Sequence, residues 1–160
     1  MIKVGGVVEN RIQHIKEALH DAKYKLTPQR EVTLRVLLEN ESDHLSAEDV
    51  FMKVKEKYPE IGLATVYRTL ELLNELKILD KINFGDGVAR YDLRKEGAEH
   101  FHHHLVCISC GSVQEIEEDL LGDVEIKVEN DFHFKVTDHR LTFHGVCKSC
   151  TLVMEKIKDD

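Results

Sequence analysis

Apolar side chains recur at helical spacing through the first half of the chain. Residues 10–22 carry them on one face and predict a first helix. Thr27 followed by Pro28 is typical of a helix start, because the threonine oxygen accepts from free amides and proline suits the first turn. Val36 and Leu37 supply the buried face of this second helix.

A third helix is predicted from Ser46 to about Pro59. Ser46 and Asp49 form a capping-box pattern, in which a hydroxyl and a carboxylate satisfy amides at the helix start. Gly62 opens a fourth helix with apolar residues at helical spacing. Its inward side chains are predicted to be Leu63, Val66, Leu70 and Leu73, and its outward ones Thr65, Arg68 and Thr69.

The hydrophobic period changes after the fourth helix. Two segments of residues 78–93 alternate like strands and are joined by the turn Gly85-Asp86-Gly87, which predicts a hairpin. Helices followed by such a hairpin predict a winged helix-turn-helix domain over residues 1–93. A polar linker over residues 94–100 leads to a small second domain over residues 101–160. Its predicted elements are strands at 105–108 and 112–116, a helix at 120–130 and one strand within 132–146, so the fold class is α+β.

The composition is that of a globular protein, with 42% hydrophobic and 32% charged residues. No apolar run approaches the roughly 18 residues of a membrane span, and residues 1–8 lack the apolar region of a secretory signal. We therefore expect a cytoplasmic protein without membrane contact. Thiols stay reduced in that compartment, so paired cysteines there more often hold a metal than form disulfides.

The strongest chemical signal is a pair of Cys-x-x-Cys motifs. Cys107 and Cys110 form the first motif, and Cys147 and Cys150 form the second. Two sulfurs spaced in this way can face one point, and two such pairs supply the four thiolates that Zn²⁺ prefers in structural sites. The alternatives are a thioredoxin-like redox pair, four buried cysteines, or a redox-switch chaperone that releases zinc.

Histidine is concentrated in the same half of the chain, since seven of the ten histidines lie beyond residue 99. If the segment before the first cysteine pair is extended, His102 and His104 share one face and His103 takes the other. One strand could then serve two sites, with Glu115 and His139 as further ligands. Imidazole and carboxylate without thiolate suit iron, manganese, zinc, cobalt or nickel.

The net charge of −8 is not that of a typical nucleic-acid binder. Most of the excess acid lies in the second domain, however, so the first domain can still present a basic face. On a recognition helix, Thr65, Tyr67 and Arg68 would reach base edges and phosphates. Lys25 and Arg30 would contact the DNA backbone beside it.

Several motifs, taken in order, resemble the ferric uptake regulator family. They are Tyr-Lys-Leu-Thr-Pro-Gln-Arg at 24–30, the box at 45–49, Ala-Thr-Val-Tyr-Arg at 64–68, the histidine run at 102–104 and both cysteine pairs. The resemblance extends over about residues 10 to 150 and is closest to the iron-responsive branch. It implies a homodimeric, metal-dependent transcriptional repressor and not an enzyme. The winged helix would bind palindromic double-stranded operator DNA, and the second domain would be a small α/β dimerisation domain.

The resemblance also implies the roles of individual residues. The cysteine quartet would be a structural Zn²⁺ site. A regulatory site would bind Fe²⁺ or Mn²⁺, for which Zn²⁺ can substitute, through His44, Asp92, His102, His104 and Glu115. Because these ligands come from both domains, metal binding would fix the arrangement of the domains and hold the two DNA-reading heads of the dimer at half-site spacing.

Side chains at these positions differ between branches of the family. Peroxide-sensing relatives tend to carry Asp where Glu115 stands, and zinc-sensing relatives tend to place a cysteine near Asp92, so both residues favour iron. A further metal site would use His103 and His139. Two of its usual ligands are missing here, because Gly122 stands where relatives have Glu and a phenylalanine at 101 replaces a histidine.

Two alternatives remain open. The first is a peroxide-, manganese- or zinc-responsive repressor of the same family, and the second is a metalloenzyme whose histidine and carboxylate cluster activates water. The outward side chains of the fourth helix favour a repressor, since an enzyme has no need of them. The sequence also has no nucleophile motif, phosphate loop or dinucleotide fingerprint.

Overall fold

The computed structural model describes residues 4–95 and 102–158 of the chain. The chain divides into two units, with the division between Lys95 and Glu96. Of the predicted linker only Arg94 and Lys95 are described; residues 96–100 and Phe101 lie outside the described residues. The predicted α+β class is confirmed, because four helices and a small sheet are followed by a second small sheet with two helices.

Helices make up most of the first unit. They are α1 (Val4–Asp21), α2 (Pro28–Glu39), α3 (Ala47–Lys57) and α4 (Leu63–Glu75). The prediction that α1 begins near residue 10 is wrong, since the helix starts earlier and Val8 packs against the core. The predicted helix starts of α2 and α3 are confirmed: the Thr27 side chain caps α2, and Ser46 and Asp49 form both hydrogen bonds of a capping box.

An antiparallel sheet completes the first unit. Its strands are β1 (Leu45–Ser46), β2 (Leu79–Asn83) and β3 (Ala89–Leu93), in the order β1-β3-β2. The predicted hairpin is β2 with β3, and Gly85 and Gly87 in its turn have φ angles of 88° and 78°, which favour glycine. Strand β1 was not predicted, because two residues are too few to show an alternation. It pairs Leu45 with Tyr91 on β3.

The inward face of α4 is formed by Val66, Leu70 and Leu73, which are all buried as predicted. Two neighbouring predictions are wrong. Leu63, in the first turn, is 36% exposed, and Thr69 is only 2% exposed. The hydroxyl of Thr69 donates to the carbonyl oxygen of Thr65 at 2.9 Å, so its burial leaves no unmade hydrogen bond. The outward face of α4 therefore includes Leu63 and excludes Thr69, contrary to the prediction.

The second unit has its own three-stranded sheet. Its elements are β4 (His103–Cys107), β5 (Val113–Ile116), α5 (Gly122–Phe132), β6 (Thr142–Gly145) and α6 (Lys148–Lys158). The sheet order is β5-β4-β6, with β4 antiparallel to β5 and parallel to β6. Helix α5 begins and ends two residues later than predicted, and α6 was not predicted.

Both helices of the second unit expose large apolar side chains. Val124, Ile126 and Phe132 on α5 are exposed, as are Val153 and Ile157 on α6. Large apolar patches on a surface are typical of faces that bind another protein, and these two helices are the candidates for such a face. Among the described helices, none has the length and apolar character needed to cross a membrane.

Candidate metal centres and DNA-binding surface

The parallel pairing of β4 with β6 brings the two cysteine motifs together in the second unit. Cys107 ends β4, and its register partner on β6 is Gly145, two residues before Cys147. Gly111, with a φ angle of 73°, turns the chain directly after Cys110. The Sγ atoms of Cys107, Cys110, Cys147 and Cys150 all lie within 4.8 Å of one another.

The sulfur geometry and electrostatics of this cluster fit zinc. Sγ of Cys110 lies 3.8 Å from Sγ of Cys147, and tetrahedral Zn–S bonds of about 2.3 Å separate sulfurs by about 3.8 Å. The amide of Cys147 donates to Sγ of Cys107 at 3.3 Å. Among the hydrogen bonds that lower the pKa of Cys107 to about 6, this one has the largest effect. Contacts with the sulfurs of Cys147 and Cys110 raise the pKa of Cys150 to about 12. A bound dication would remove the repulsion that opposes a full set of thiolates.

In the first unit, His44 and Asp92 form a largely buried pair. Nδ1 of His44 lies 2.7 Å from Oδ2 of Asp92, and the two side chains are 10% and 14% exposed. His44 adopts the left-handed conformation after a short 3₁₀ turn, directly before β1, and β1 pairs with the strand that carries Asp92. The rings of His44 and Phe84 pack perpendicular to each other with 5.6 Å between centroids, which restricts the orientation of the imidazole.

In the second unit, His102 and His104 approach one carboxylate. His104 lies directly opposite Glu115 in the β4–β5 register. Nδ1 of His102 is 3.5 Å from Oε2 of Glu115, and Nε2 of His104 is 3.9 Å from Oε1. His104 is only 4% exposed. His102, directly before β4, His104 on β4 and Glu115 on β5 thus offer three potential nitrogen and oxygen ligands close together.

His103, between them in sequence, faces a different cluster. Its side chain is fully buried, its Nε2 accepts from the amide of Leu120 at 3.0 Å, and the same atom lies 3.8 Å from Oδ1 of Asp119. Nε2 of His139 lies 3.6 Å from that carboxylate oxygen, and Nδ1 of His139 contacts Oε1 of Glu125. Asp119 and Glu125 were not among the ligands predicted from the sequence.

The α4 residues predicted to contact DNA are differently exposed. Tyr67 and Arg68 are exposed, while Thr65 is half-buried. Nη2 of Arg68 lies 3.4 Å from Oγ1 of Thr65, and the hydroxyl of Tyr67 donates to Oε1 of Glu48 on α3 at 2.7 Å. Glu48 was not predicted to lie beside the DNA-contact residues, and its one signal in the sequence is its place in the first turn of α3.

The two basic residues predicted to contact the DNA backbone lie before and at the start of α2. The guanidinium of Arg30 donates to the carbonyl oxygen of Lys25 at 2.7 Å. The side chain of Lys25 is exposed, and Arg30 is half-buried. This contact braces the turn that leads into the winged-helix core.

A winged helix with exposed aromatic and cationic side chains, in one chain with thiolate and histidine–carboxylate clusters, is typical of metal-responsive DNA-binding regulators. The model of the ferric uptake regulator family matches residues 21–144. The chain therefore belongs to the ferric uptake regulator family.

Individual relatives agree with this assignment. The chain is 75% identical over 143 residues to the ferric uptake regulation protein of Bacillus subtilis strain 168, covering 89% of this chain and 96% of that protein. The crystal structure of the Vibrio cholerae ferric uptake regulator matches with a TM-score of 0.66 at 35% identity, over 82% of this chain and 98% of that one. The regulator from Pseudomonas aeruginosa, solved with manganese, matches with a TM-score of 0.68 at 31% identity, over 82% and 96%.

The resemblance derived from the sequence motifs is thus confirmed. The chain is a metal-responsive transcriptional regulator of a family of dimeric DNA-binding repressors. The metalloenzyme alternative is wrong, because members of the family regulate transcription and are not enzymes.

Proposed function

We propose that this chain is an Fe²⁺-responsive repressor that binds palindromic operator DNA as a homodimer in the cytoplasm. The observation that carries a metal-responsive repressor is the chemistry of two ligand sets, which hold imidazole and carboxylate but no thiolate. Such ligands suit Fe²⁺ and Mn²⁺ as well as Zn²⁺, so the choice of iron among these ions rests on the relatives. The 75% identical relative, a ferric uptake regulation protein, supports the same assignment.

We assign the regulatory ion to ligands from both units. His44 and Asp92 offer two ligands, and His102, His104 and Glu115 offer three. Two ligands alone hold a divalent ion weakly, so an ion that recruits both sets binds more tightly than either set allows. Such an ion stabilises one arrangement of the units over others, and that differential affinity is what couples metal binding to DNA binding.

The cysteine quartet serves a different purpose in this proposal. Four thiolates leave no open position, so Zn²⁺ there ties the end of β4 to the start of α6 and stabilises the fold. An additional ion is assigned to His103 and His139. Asp119 and Glu125 replace the carboxylate that Gly122 cannot supply.

The DNA-binding surface is assigned to α4 and the start of α2. Tyr67 and Arg68 are exposed in the first half of α4, where a recognition helix contacts base edges. Thr65 supports Arg68, and Lys25 and Arg30 contact phosphates. A manganese-, peroxide- or zinc-responsive repressor is the alternative, and metal titration separates these cases.

The test combines metal analysis with DNA binding. Protein purified without oxygen is analysed for metal, and binding to a fluorescent operator duplex is measured while Fe²⁺, Mn²⁺ or Zn²⁺ is added. We expect one tightly held zinc per chain and DNA binding that Fe²⁺ or Mn²⁺ switches on. Asp92→Asn and Glu115→Gln should each raise the metal concentration required by about 10-fold or more. His20→Ala, which removes an imidazole that is 87% exposed, is the matched control.

Each other outcome has a definite meaning. Activation by Zn²⁺ alone would assign the chain to the zinc-responsive branch. Metal-dependent binding that survives both carboxylate substitutions would contradict the regulatory ligand assignment. DNA binding that no metal promotes would refute the proposed function itself.

A further inference from the structure

A carboxylate stands beside the side chain that is proposed to contact DNA. The hydroxyl of Tyr67 donates to Oε1 of Glu48 at 2.7 Å, and both residues lie in the first unit. DNA is a polyanion, so a carboxylate at its binding surface weakens binding to every sequence alike. Because Glu48 weakens DNA binding in general, we expect Glu48 to make a contribution to DNA recognition that offsets this effect.

The position of Glu48 is fixed by the start of α3. Ser46 and Asp49 close the capping box around this turn: the amide of Asp49 donates to Oγ of Ser46 at 3.1 Å, and the amide of Ser46 donates to Oδ2 of Asp49 at 3.0 Å. Glu48 lies in the first turn, where the helix dipole favours a negative charge. The acceptor oxygen is therefore attached to an ordered part of the backbone.

Tyr67 gains most from such an acceptor. The residue is 38% exposed, so part of its ring has no packing contacts that fix its orientation. A tyrosine side chain has two rotatable bonds, and one hydrogen bond at its far end restricts both. The hydroxyl has a single proton, and donation to Glu48 leaves none for a phosphate oxygen. This hydrogen bond thus favours one ring orientation and removes one sequence-independent contact to DNA.

We propose that Glu48 is a positioning residue for operator recognition, which holds Tyr67 in its DNA-reading orientation and thereby raises the ratio of operator affinity to non-specific affinity. This inference rests on the proposed role of Tyr67 as a DNA contact. Glu48 itself touches no base in this scheme and acts through the tyrosine.

The test uses the full-length, metal-loaded protein and two DNA probes. One duplex is selected from a random pool by the unaltered protein, and the other has the same composition in scrambled order. Affinity for each is measured with Glu48→Gln, Glu48→Ala, Tyr67→Phe and the Glu48→Ala/Tyr67→Phe double variant. Glutamine keeps an acceptor oxygen without the charge, whereas alanine removes both. Glu56→Ala removes a carboxylate from an exposed position of the same helix and serves as the control for charge.

The proposal predicts a specific pattern of affinity ratios. Glu48→Gln and Glu56→Ala should strengthen binding to both probes and change the ratio less than about 2-fold, because phosphate repulsion falls for all sequences. Glu48→Ala should lower the ratio by about 5-fold, the effect of losing one hydrogen bond of ordinary strength. Tyr67→Phe should lower it by no more than Glu48→Ala, because it frees no hydroxyl for a phosphate, and the double variant should fall no further than Tyr67→Phe.

Three results would overturn the inference. One is an unchanged ratio in Glu48→Ala, and another is a further fall when Glu48→Ala is added to Tyr67→Phe. The third is a ratio in Glu48→Gln as low as in Glu48→Ala, which would assign the effect to charge. A Tyr67→Ala variant with unaltered operator affinity would instead refute the DNA-contact assignment, so failure of the proposed function is told apart from failure of the inference. Equal melting temperatures of all variants confirm that each one folds.

Discussion

Removal of one hydroxyl group tests how strongly the hairpin is joined to α4. Tyr91 on β3 is 2% exposed, and its hydroxyl donates to Oε1 of Glu71 on α4 at 2.7 Å. Nζ of Lys81 on β2 donates to the same oxygen at 2.9 Å. Glu71 is thus the point at which both strands of the hairpin are hydrogen-bonded to the fourth helix. Tyr91→Phe removes one of these bonds and leaves the ring in place.

The expected loss follows from the surroundings of the carboxylate. A hydrogen bond to a charged group contributes about 1.5 to 3 kcal/mol to stability. The Glu71 side chain is 43% exposed and keeps Lys81, so water and the ammonium group replace part of what is lost. We therefore expect Tyr91→Phe to lower the free energy of unfolding by about 1 kcal/mol, somewhat below the range for such bonds.

The pH dependence of this loss gives a second, independent test. Hydrogen bonds from Tyr91 and Lys81 lower the pKa of Glu71 below its ordinary value of 4.5. A group whose pKa is lowered by folding contributes stability above its unfolded pKa, and that contribution is lost as the pH falls through the folded value. The difference between Tyr91→Phe and the unaltered protein should therefore be constant at neutral pH and shrink below about pH 4.5.

Urea unfolding of the zinc-loaded protein, followed by far-ultraviolet circular dichroism, measures the effect. Tyr24→Phe is the matched control, because Tyr24 is 41% exposed and should change stability by less than about 0.5 kcal/mol. If Tyr91→Phe is no less stable than Tyr24→Phe at neutral pH, the reasoning is refuted. A loss that persists unchanged at pH 3 would refute the assignment to the carboxylate.

Further predictions concern the core, the zinc site, the DNA surface and a helix cap. Leu70→Ala, at a fully buried position, should destabilise the protein by about 2 to 5 kcal/mol in urea unfolding. Cys110→Ser should release the structural zinc to a chelator that leaves the unaltered protein loaded, as metal analysis would show. Arg68→Ala should weaken operator binding by about 1 to 3 kcal/mol if it contacts a base, measured by fluorescence anisotropy. Hydrogen bonds from Ser46 lower the pKa of Asp49, so Asp49→Asn should be less stable than the unaltered protein at neutral pH and should lose that difference as acid protonates the carboxylate.

Local signals made the first unit predictable. The hairpin turn needs glycine at positive φ, and the capping residues Thr27 and Ser46 mark two helix starts directly. The error at Thr69 has a simple cause: the buried stripe of α4 follows i, i+3, i+4 and i+7 from Val66, and Thr69 lies at the second of these positions. Its polarity suggested an outward side chain, yet the backbone carbonyl four residues earlier satisfies its hydroxyl.

Long-range pairing made parts of the second unit unpredictable. Asp119 lies in the segment after β5 and Glu125 lies on α5, and only the tertiary fold brings both carboxylates to His139. Gly122 suggested that the site of His103 and His139 lacks a carboxylate ligand. The sequence shows that this glycine cannot bind a metal, but it does not show which other carboxylates lie nearby. Helix α6 was not predicted for another reason: its first turn contains Cys150, whose metal-ligand spacing is a stronger sequence signal than the helical pattern around it.

The alternation along β4 limits how this strand can change during evolution. His103 and His104 are adjacent in sequence but belong to different clusters, because successive side chains of a strand point to opposite faces. A single-residue insertion or deletion between His104 and Cys107 would shift both histidines by one register position and so move each to the opposite face of the strand. Both clusters would then lose the histidine that belongs to them, although every histidine was still present. This strand should therefore tolerate some substitutions but no insertion or deletion. Its length should be as invariant among functional variants as the histidines themselves.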